Sequence, residues 1–195
     1  MKPSLKSSVL NVLYETKSKT QVLSAKDKAF LKKCIKGAYF VNPKTGLIDV
    51  KGSVKLSNQN LTSIPYKFGN VSENFYCSVN KLTSLIGCPR TIGGDFICDT
   101  NQLTSLAGCP RTVERSFDCS NNQLTSLAGC PQTVGWDLDV TNNKIETLKW
   151  LPKCQNQSEV IKEIRKQIRA YLIDLGFDPK DKENFAAMMK AQEKL

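Results

Sequence analysis

The sequence predicts an α/β solenoid, in which repeated coils build a short parallel β-sheet and helical caps cover both ends. The ten residues NQLTSLAGCP begin at Asn101 and again at Asn122, so the chain repeats itself at an interval of 21 residues. Apolar residues recur at that interval through the centre of the chain, and segments with helical spacing lie on either side. We therefore expect a lysine-rich N-terminal helical cap (1–45), about five coils (46–154) and a C-terminal helical cap (155–195).

Each 21-residue unit carries the same arrangement of apolar and asparagine positions. The units align on an apolar residue that recurs at Leu61, Leu82, Leu103, Leu124 and Ile145. Two residues earlier stand Gln59, Asn80, Asn101, Asn122 and Asn143. Five residues earlier stand Leu56, Cys77, Cys98, Cys119 and Val140, and seven earlier stand Val54, Phe75, Phe96, Phe117 and Leu138. The pattern L-x-L-x-x-N-x-L-x-x-L is the signature of leucine-rich repeats.

The physical chemistry of one unit explains its slots. In FDCS the side chains alternate, so Phe117 and Cys119 point into the core while Asp118 and Ser120 point outward. The asparagine follows the strand, where its amide can bond backbone groups of adjacent coils that would otherwise be buried unpaired. Glycine and proline in the return segment favour an extended or polyproline II back wall.

The eight cysteines are predicted to be structural thiols. Six recur at alternating intervals of 11 and 10 residues, which is two columns sampled at a period of 21. No pair has the C-x₂₋₄-C spacing of a zinc site. Leu56 and Val140 occupy the strand slot that holds cysteine in the other units, so the slot requires a small apolar group. Disulfides between stacked cysteines, or a metal array, are the alternatives.

The N-terminal cap is predicted to hold two helices, and a strand pair is predicted to follow it. The first helix covers residues 4–16. Ser24 and Asp27 resemble a capping box that opens a second helix, which Gly37 can end. The stretch LIDVKGSVKL alternates around a glycine, which favours two strands joined by a turn and leading into the first coil.

The C-terminal cap is predicted to hold two further helices. Ser158 can cap a helix that runs to Leu175 with one apolar stripe, formed by Val160, Ile161, Ile164, Ile168, Leu172 and Leu175. A last helix covers roughly residues 181–194. Both stripes are expected to cover the end of the core, with a partner-binding helix as the alternative.

Composition narrows the functions that the chain can perform. The chain has no histidine, which removes Ser-His and Cys-His pairs and histidine-based zinc sites. We expect no enzymatic activity, cofactor or metal. No apolar run approaches the length that spans a bilayer, so we expect a cytoplasmic protein without a membrane partner. The net charge of +10 comes largely from residues 1–55, where twelve lysines face Glu15, Asp27 and Asp49.

The repeat resembles those of a known family. FDCSNNQLTSLAGCP, with its neighbour GCPRTIGGDFICDTNQLTSL, is similar to the short leucine-rich-repeat proteins that tailed bacteriophages encode. NPKTGLIDVKGSVKLSNQNLTSIP resembles the segment that enters the repeats there. The resemblance covers roughly residues 40–152. The repeat is more loosely similar to the leucine-rich repeats of bacterial effectors. Some of those carry a ubiquitin-ligase domain after the repeats, and the segment after Cys154 is too short for such a domain. It implies a cytoplasmic protein made in an infected bacterium and names no target.

One outward column of the sheet departs from small polar residues and is the predicted binding site. It consists of Lys55, Tyr76, Ile97, Asp118 and Asp139, whereas the next column consists of Ser57, Ser78, Asp99, Ser120 and Thr141. Aromatic and apolar anchors with a charged rim are typical of a protein interface. The predicted partner-binding residues are Lys55, Tyr76, Ile97, Asp99, Asp118 and Asp139.

Three functions are compatible with these observations. The first is a non-catalytic module that binds a host, defence or phage protein. The second is a component or accessory of a phage particle. The third is a nucleic-acid binder that works through the lysine-rich N-terminal residues, although the acidic strand face opposes nucleic acid there.

Overall fold

A computed structural model describes residues 22–194 of the chain. Within this range the protein forms one ten-stranded sheet, a helix before it and two helices after it. The predicted repeat solenoid with helices at both ends is confirmed. The helix predicted over residues 4–16 lies outside the described residues.

The coils stack through two parallel ladders of short strands. The strands are β1 (Ile35–Val41), β2 (Ile48–Lys55), β3 (Phe68–Val71), β4 (Phe75–Tyr76), β5 (Thr91–Ile92), β6 (Phe96–Ile97), β7 (Thr112–Val113), β8 (Phe117–Asp118), β9 (Thr133–Val134) and β10 (Leu138–Asp139). The end of β2 begins the first ladder, which continues through β4, β6, β8 and β10. The start of β2 begins the second ladder, which continues through β3, β5, β7 and β9. From β3 and β4 onward, paired residues of neighbouring coils are 21 positions apart.

The first ladder is the strand that the repeat pattern predicts. Its inward slot holds Phe75, Phe96 and Phe117, which are completely buried. The ring centroids of Phe75 and Phe96 are 6.0 Å apart, and those of Phe96 and Phe117 are 5.1 Å apart. The first pair meets edge to face and the second is stacked. This column of packed rings explains why two-residue strands hold together, because burial across coils replaces the length that an isolated strand needs.

The second ladder refines the prediction of an extended or polyproline II back wall. Part of the return segment is extended as expected, but it is hydrogen-bonded from coil to coil. Its inward column recurs every 21 residues and consists of Val50, Val71, Ile92, Val113 and Val134, all buried. A coil therefore buries β-strand side chains on two sides of the core.

The N-terminal cap is a helix followed by a strand. Helix α1 (Ala25–Cys34) begins with the predicted capping box, in which the Asp27 backbone N–H donates to Ser24 Oγ at 3.2 Å and the Ser24 backbone N–H donates to Asp27 Oδ2 at 2.9 Å. The helix ends at Cys34, three residues before Gly37. The expectation that Gly37 ends the helix is wrong, because Gly37 lies inside β1.

The predicted strand pair in LIDVKGSVKL is also wrong, because β2 is one strand that runs through Gly52 and pairs antiparallel with β1. Gly37 and Gly52 face each other across this hairpin, both with positive φ. A Cβ on either residue would collide with a backbone oxygen of the opposite strand. The glycines therefore permit close contact between the strands, and neither forms a turn.

The C-terminal cap consists of α2 (Gln157–Asp174) and α3 (Lys182–Lys194). The buried stripe of α2 is formed by Val160, Ile164, Ile168 and Leu172, whereas Leu175 is 56% exposed. Asn156, not Ser158, precedes the first helical residue. The Asn156 side chain accepts a hydrogen bond from the Leu138 backbone N–H at 2.9 Å and donates to the Leu138 carbonyl at 3.0 Å. The helix is thereby joined to the last strand.

Candidate binding face of the coil ladder

An asparagine ladder holds the turn after each strand of the first ladder. Asn101 Nδ2 donates to the carbonyls of Cys77, Cys98 and Asp99 at 3.0–3.1 Å, and its Oδ1 accepts from the Leu82 backbone N–H at 3.0 Å. The same bonds recur at equivalent positions around Asn80, Asn122 and Asn143. Each asparagine bridges its own coil to the preceding one, so the predicted role of the asparagine slot is confirmed.

A glutamine from α2 completes this ladder. Gln167 Oε1 accepts from the Ile145 backbone N–H at 2.9 Å, and its Nε2 donates to the Val140 carbonyl at 3.0 Å. These backbone groups are equivalent to those that an asparagine bonds in the preceding coils. Gln167 was missed by sequence analysis, because it lies 24 residues after Asn143 and inside a helix, outside the 21-residue period.

The predicted binding residues lie in register on the outward side of the first ladder. Lys55 pairs with Tyr76, Tyr76 with Ile97, Ile97 with Asp118, and Asp118 with Asp139. Lys55 and Asp139 are exposed, and the three residues between them are half-buried. We call this column, together with Asp99 of the next column, the strand face.

The strand face carries an acidic end formed by Asp99, Asp118 and Asp139. Burial raises the pKa of Asp118, hydrogen bonds from Ser120 act in the opposite direction, and the charges of Asp139 and Asp99 raise it further. Within residues 22–194 no lysine or arginine pairs with any of the three carboxylates. The three carboxylates therefore carry negative charge that no described lysine or arginine neutralises by direct contact.

Arg115, which precedes β8, contacts side chains outside the acidic end. Arg115 Nε lies 3.7 Å from Asp95 Oδ1, and the Arg115 guanidinium carbon lies 4.2 Å from the centroid of the Trp136 ring. Trp136 is 45% exposed, so this stacked pair forms part of the surface. Since Arg115 is held by these two contacts, it does not neutralise the acidic end.

A separate groove lies over the second ladder. It is a groove of about 430 Å³, lined by Phe40, Lys51, Asn70, Thr91 and Glu114 among others. Thr91 Oγ1 donates to Asn70 Oδ1 at 2.7 Å, which links neighbouring coils within its floor. Sequence analysis missed this groove, because it depends on where β1 lies relative to the second ladder. Its lining mixes both charges and points to no particular ligand.

Six cysteines occupy the two columns that the period predicts, and all eight cysteines are free thiols. Cys77, Cys98 and Cys119 are completely buried in the strand slot. Burial raises the pKa of the Cys98 and Cys119 thiols well above the usual range. A buried thiol that resists ionisation is a poor nucleophile, so these side chains act as small apolar core residues.

Comparison with known proteins adds no information about this binding face. No protein-family model matches the chain, and no curated protein or solved structure shows significant similarity to it. No helix within residues 22–194 is long and apolar enough to cross a membrane. No three potential metal-ligating side chains cluster within the same range.

Proposed function

We propose that this chain is a non-catalytic leucine-rich-repeat module that binds another protein through the strand face. The observation that supports this proposal is the pair formed by Tyr76 and Ile97, which stand side by side on outward positions of consecutive coils. The inward alternation that buries Phe75 and Phe96 leaves both residues on the surface, so neither is needed to fill the core. Aromatic and apolar side chains in such positions are typical anchors of protein interfaces.

The charge of the strand face favours a protein over a nucleic acid. Asp99, Asp118 and Asp139 adjoin the Tyr76–Ile97 pair and would repel phosphates. The resemblance to phage-encoded repeats further favours a host or defence protein in the bacterial cytoplasm as the partner. A virion protein and a nucleic acid bound through the N-terminal lysines are the competing partners.

Affinity capture from a lysate of infected bacteria tests this proposal. Tyr76→Ala and Ile97→Ala are expected to reduce partner recovery, by about 1–3 kcal/mol of binding free energy for an anchor residue. Ile86→Ala is the matched control, because Ile86 is 66% exposed and lies outside the strand face. Equal recovery by Ile97→Ala and Ile86→Ala would show that the strand face does not hold the partner. Recovery of nucleic acid or virion protein would favour the competing functions.

A further inference from the structure

The strand face changes its chemistry in one direction along the coils. We call the strand that each coil contributes to the first ladder a rung. Lys55 lies on the first rung, the apolar pair of Tyr76 and Ile97 on the next two, and Asp118 and Asp139 on the last two. Neighbouring rungs of a parallel sheet are about 4.8 Å apart, so the centre of the apolar pair lies about 10 Å from the centre of the last two carboxylates. A partner bound across these rungs meets a cation, an apolar surface and an acidic surface in that order.

The acidic end has hydrogen-bonding capacity that the described fold does not use. Asp118 Oδ1 accepts from the Ser120 backbone N–H at 2.9 Å, and Asp139 Oδ1 accepts from the Thr141 backbone N–H at 2.8 Å. The Ser120 side chain adds a second hydrogen bond to the Asp118 carboxylate, whereas the Thr141 bond engages only one oxygen of Asp139. An asparagine would retain the same Oδ1 acceptor without the charge. Supporting the local turn therefore does not require aspartate at either position.

The arrangement of like charges opposes the stability of the free protein. The neighbouring charges of Asp139 and Asp99 disfavour ionisation of Asp118, in addition to the larger effect of burial. A cation placed against these carboxylates relieves the repulsion, and it replaces part of the hydration that Asp118 has lost. The same cation is repelled at the other end of the face by Lys55. Charge complementarity therefore selects both the sign of the partner's charge and the rung that it occupies.

Building on the proposed function, we infer that the partner presents an apolar side chain to the apolar pair and, about 10 Å further along, a lysine or arginine to the acidic end. The occupant is thus a protein segment with one apolar and one basic anchor, bound in one orientation. Three residues of a polyproline II chain, which place both side chains on one side, or two turns of a helix, supply this spacing.

Short synthetic peptides test this inference on the full-length protein. The probe is acetyl-Leu-Gly-Gly-Arg-amide, followed by amide chemical shifts of the ¹⁵N-labelled chain at low ionic strength. Its matched controls replace arginine by the neutral isostere citrulline, or leucine by glycine. We expect shifts centred on Ile97 and Asp118, at least about fivefold weaker binding of each control peptide, and loss of the arginine preference when salt screens the charges.

Protein variants test whether Asp118 is the carboxylate that binds the arginine side chain of the peptide. Asp118→Asn is expected to weaken binding of the arginine peptide about as much as citrulline does. Asp174→Asn removes the same charge at an exposed position on α2 and is expected to bind the peptide like the parent protein. Calcium chloride alone is a further arm, because carboxylates also attract divalent cations.

The outcomes separate this inference from the proposed function. Equal binding of the arginine and citrulline peptides at the strand face overturns the inference and leaves a protein-binding face in place. Calcium binding at the acidic end that excludes the peptides also overturns it. Absence of shifts on the strand face with every peptide overturns it as well, and lysate capture with Ile97→Ala then decides the proposed function independently.

Discussion

Replacing Asn101 by alanine is predicted to destabilise the fold by about 2–3 kcal/mol, a value that follows from counting the hydrogen bonds left unmade. The substitution removes a donor from the carbonyls of Cys77, Cys98 and Asp99. These three carbonyls keep another donor, supplied by Asn80 Nδ2, Asn122 Nδ2 and the Val79 backbone N–H respectively. The substitution therefore weakens the hydrogen bonding of these three carbonyls but leaves none of them without a donor.

The backbone N–H of Leu82 has no such reserve. Asn101 Oδ1 is its acceptor at 3.0 Å, and Leu82 is completely buried. A buried donor left without an acceptor costs about 1–3 kcal/mol, and the weakened carbonyl bonds contribute the remainder of the expected loss. Asn101→Asp keeps an acceptor for Leu82 but places a carboxylate against carbonyl oxygens. It is therefore expected to be at least as destabilising at neutral pH.

Equilibrium unfolding in urea, followed by far-UV circular dichroism, measures the effect. Gln102→Ala is the matched control, because the Gln102 side chain is exposed and its backbone hydrogen bond to Leu82 survives the change. For a chain of this size the expected loss lowers the Tm by about 5–10 °C. If Asn101→Ala and Gln102→Ala unfold within about 0.5 kcal/mol of each other, the asparagine ladder does not carry the stability assigned to it.

Gln167→Ala is predicted to cost about 1–3 kcal/mol in urea unfolding, because the Ile145 backbone N–H loses its acceptor. Since the pKa of Asp118 is raised on folding from 3.8, its ionisation lowers the free energy of unfolding as pH rises above that value. Asp118→Asn is therefore predicted to flatten the pH dependence and to equal or exceed the parent's stability at pH 7. In pulsed alkylation read by mass spectrometry, the partly exposed Cys154 should react before the completely buried Cys119.

Neighbouring or chemically matched changes serve as controls for the first two of these predictions. Lys166→Ala alters an exposed residue beside Gln167 and is expected to leave stability nearly unchanged. Asp174→Asn should leave the pH dependence as it is in the parent. A stability loss from Asp118→Asn at pH 7 would show that the carboxylate supports the fold. Early alkylation of Cys119 would show that the core of the coils opens locally.

The first ladder could be predicted from the sequence because each of its slots has a distinct chemical requirement. Phenylalanine and cysteine mark the inward positions, and the asparagine requires a site where its amide reaches backbone groups of two coils. The second ladder was harder to predict. Its two-residue strands, such as Thr91–Ile92 and Thr112–Val113, stand between proline and a bend and resemble loop. Only the 21-residue recurrence of its valine and isoleucine column distinguishes it from loop.

The end caps were predicted less well because they do not repeat. In the sequence, Gly52 indicates a turn. The structure instead places it opposite Gly37 of the neighbouring strand, where both glycines permit close contact between the two backbones. Gln167 has no local signal, because its function depends on α2 packing across the last coil. The outward column was predictable in position from alternation alone. Only the structure shows that no lysine or arginine among residues 22–194 contacts its carboxylates.

Stability and recognition are divided between different slots of the same repeat. Inward slots and the asparagine slot are constrained by burial and hydrogen bonding, so the three central coils hold the same phenylalanine, cysteine and asparagine there. The outward slot is free of those constraints, and along it the side chain changes from lysine to tyrosine, isoleucine and aspartate. Asp118 goes beyond neutral variation, because its partial burial beside Asp139 and Asp99 disfavours its charge. Retaining a charge where the fold disfavours it is accounted for if that charge meets an opposite one on a partner.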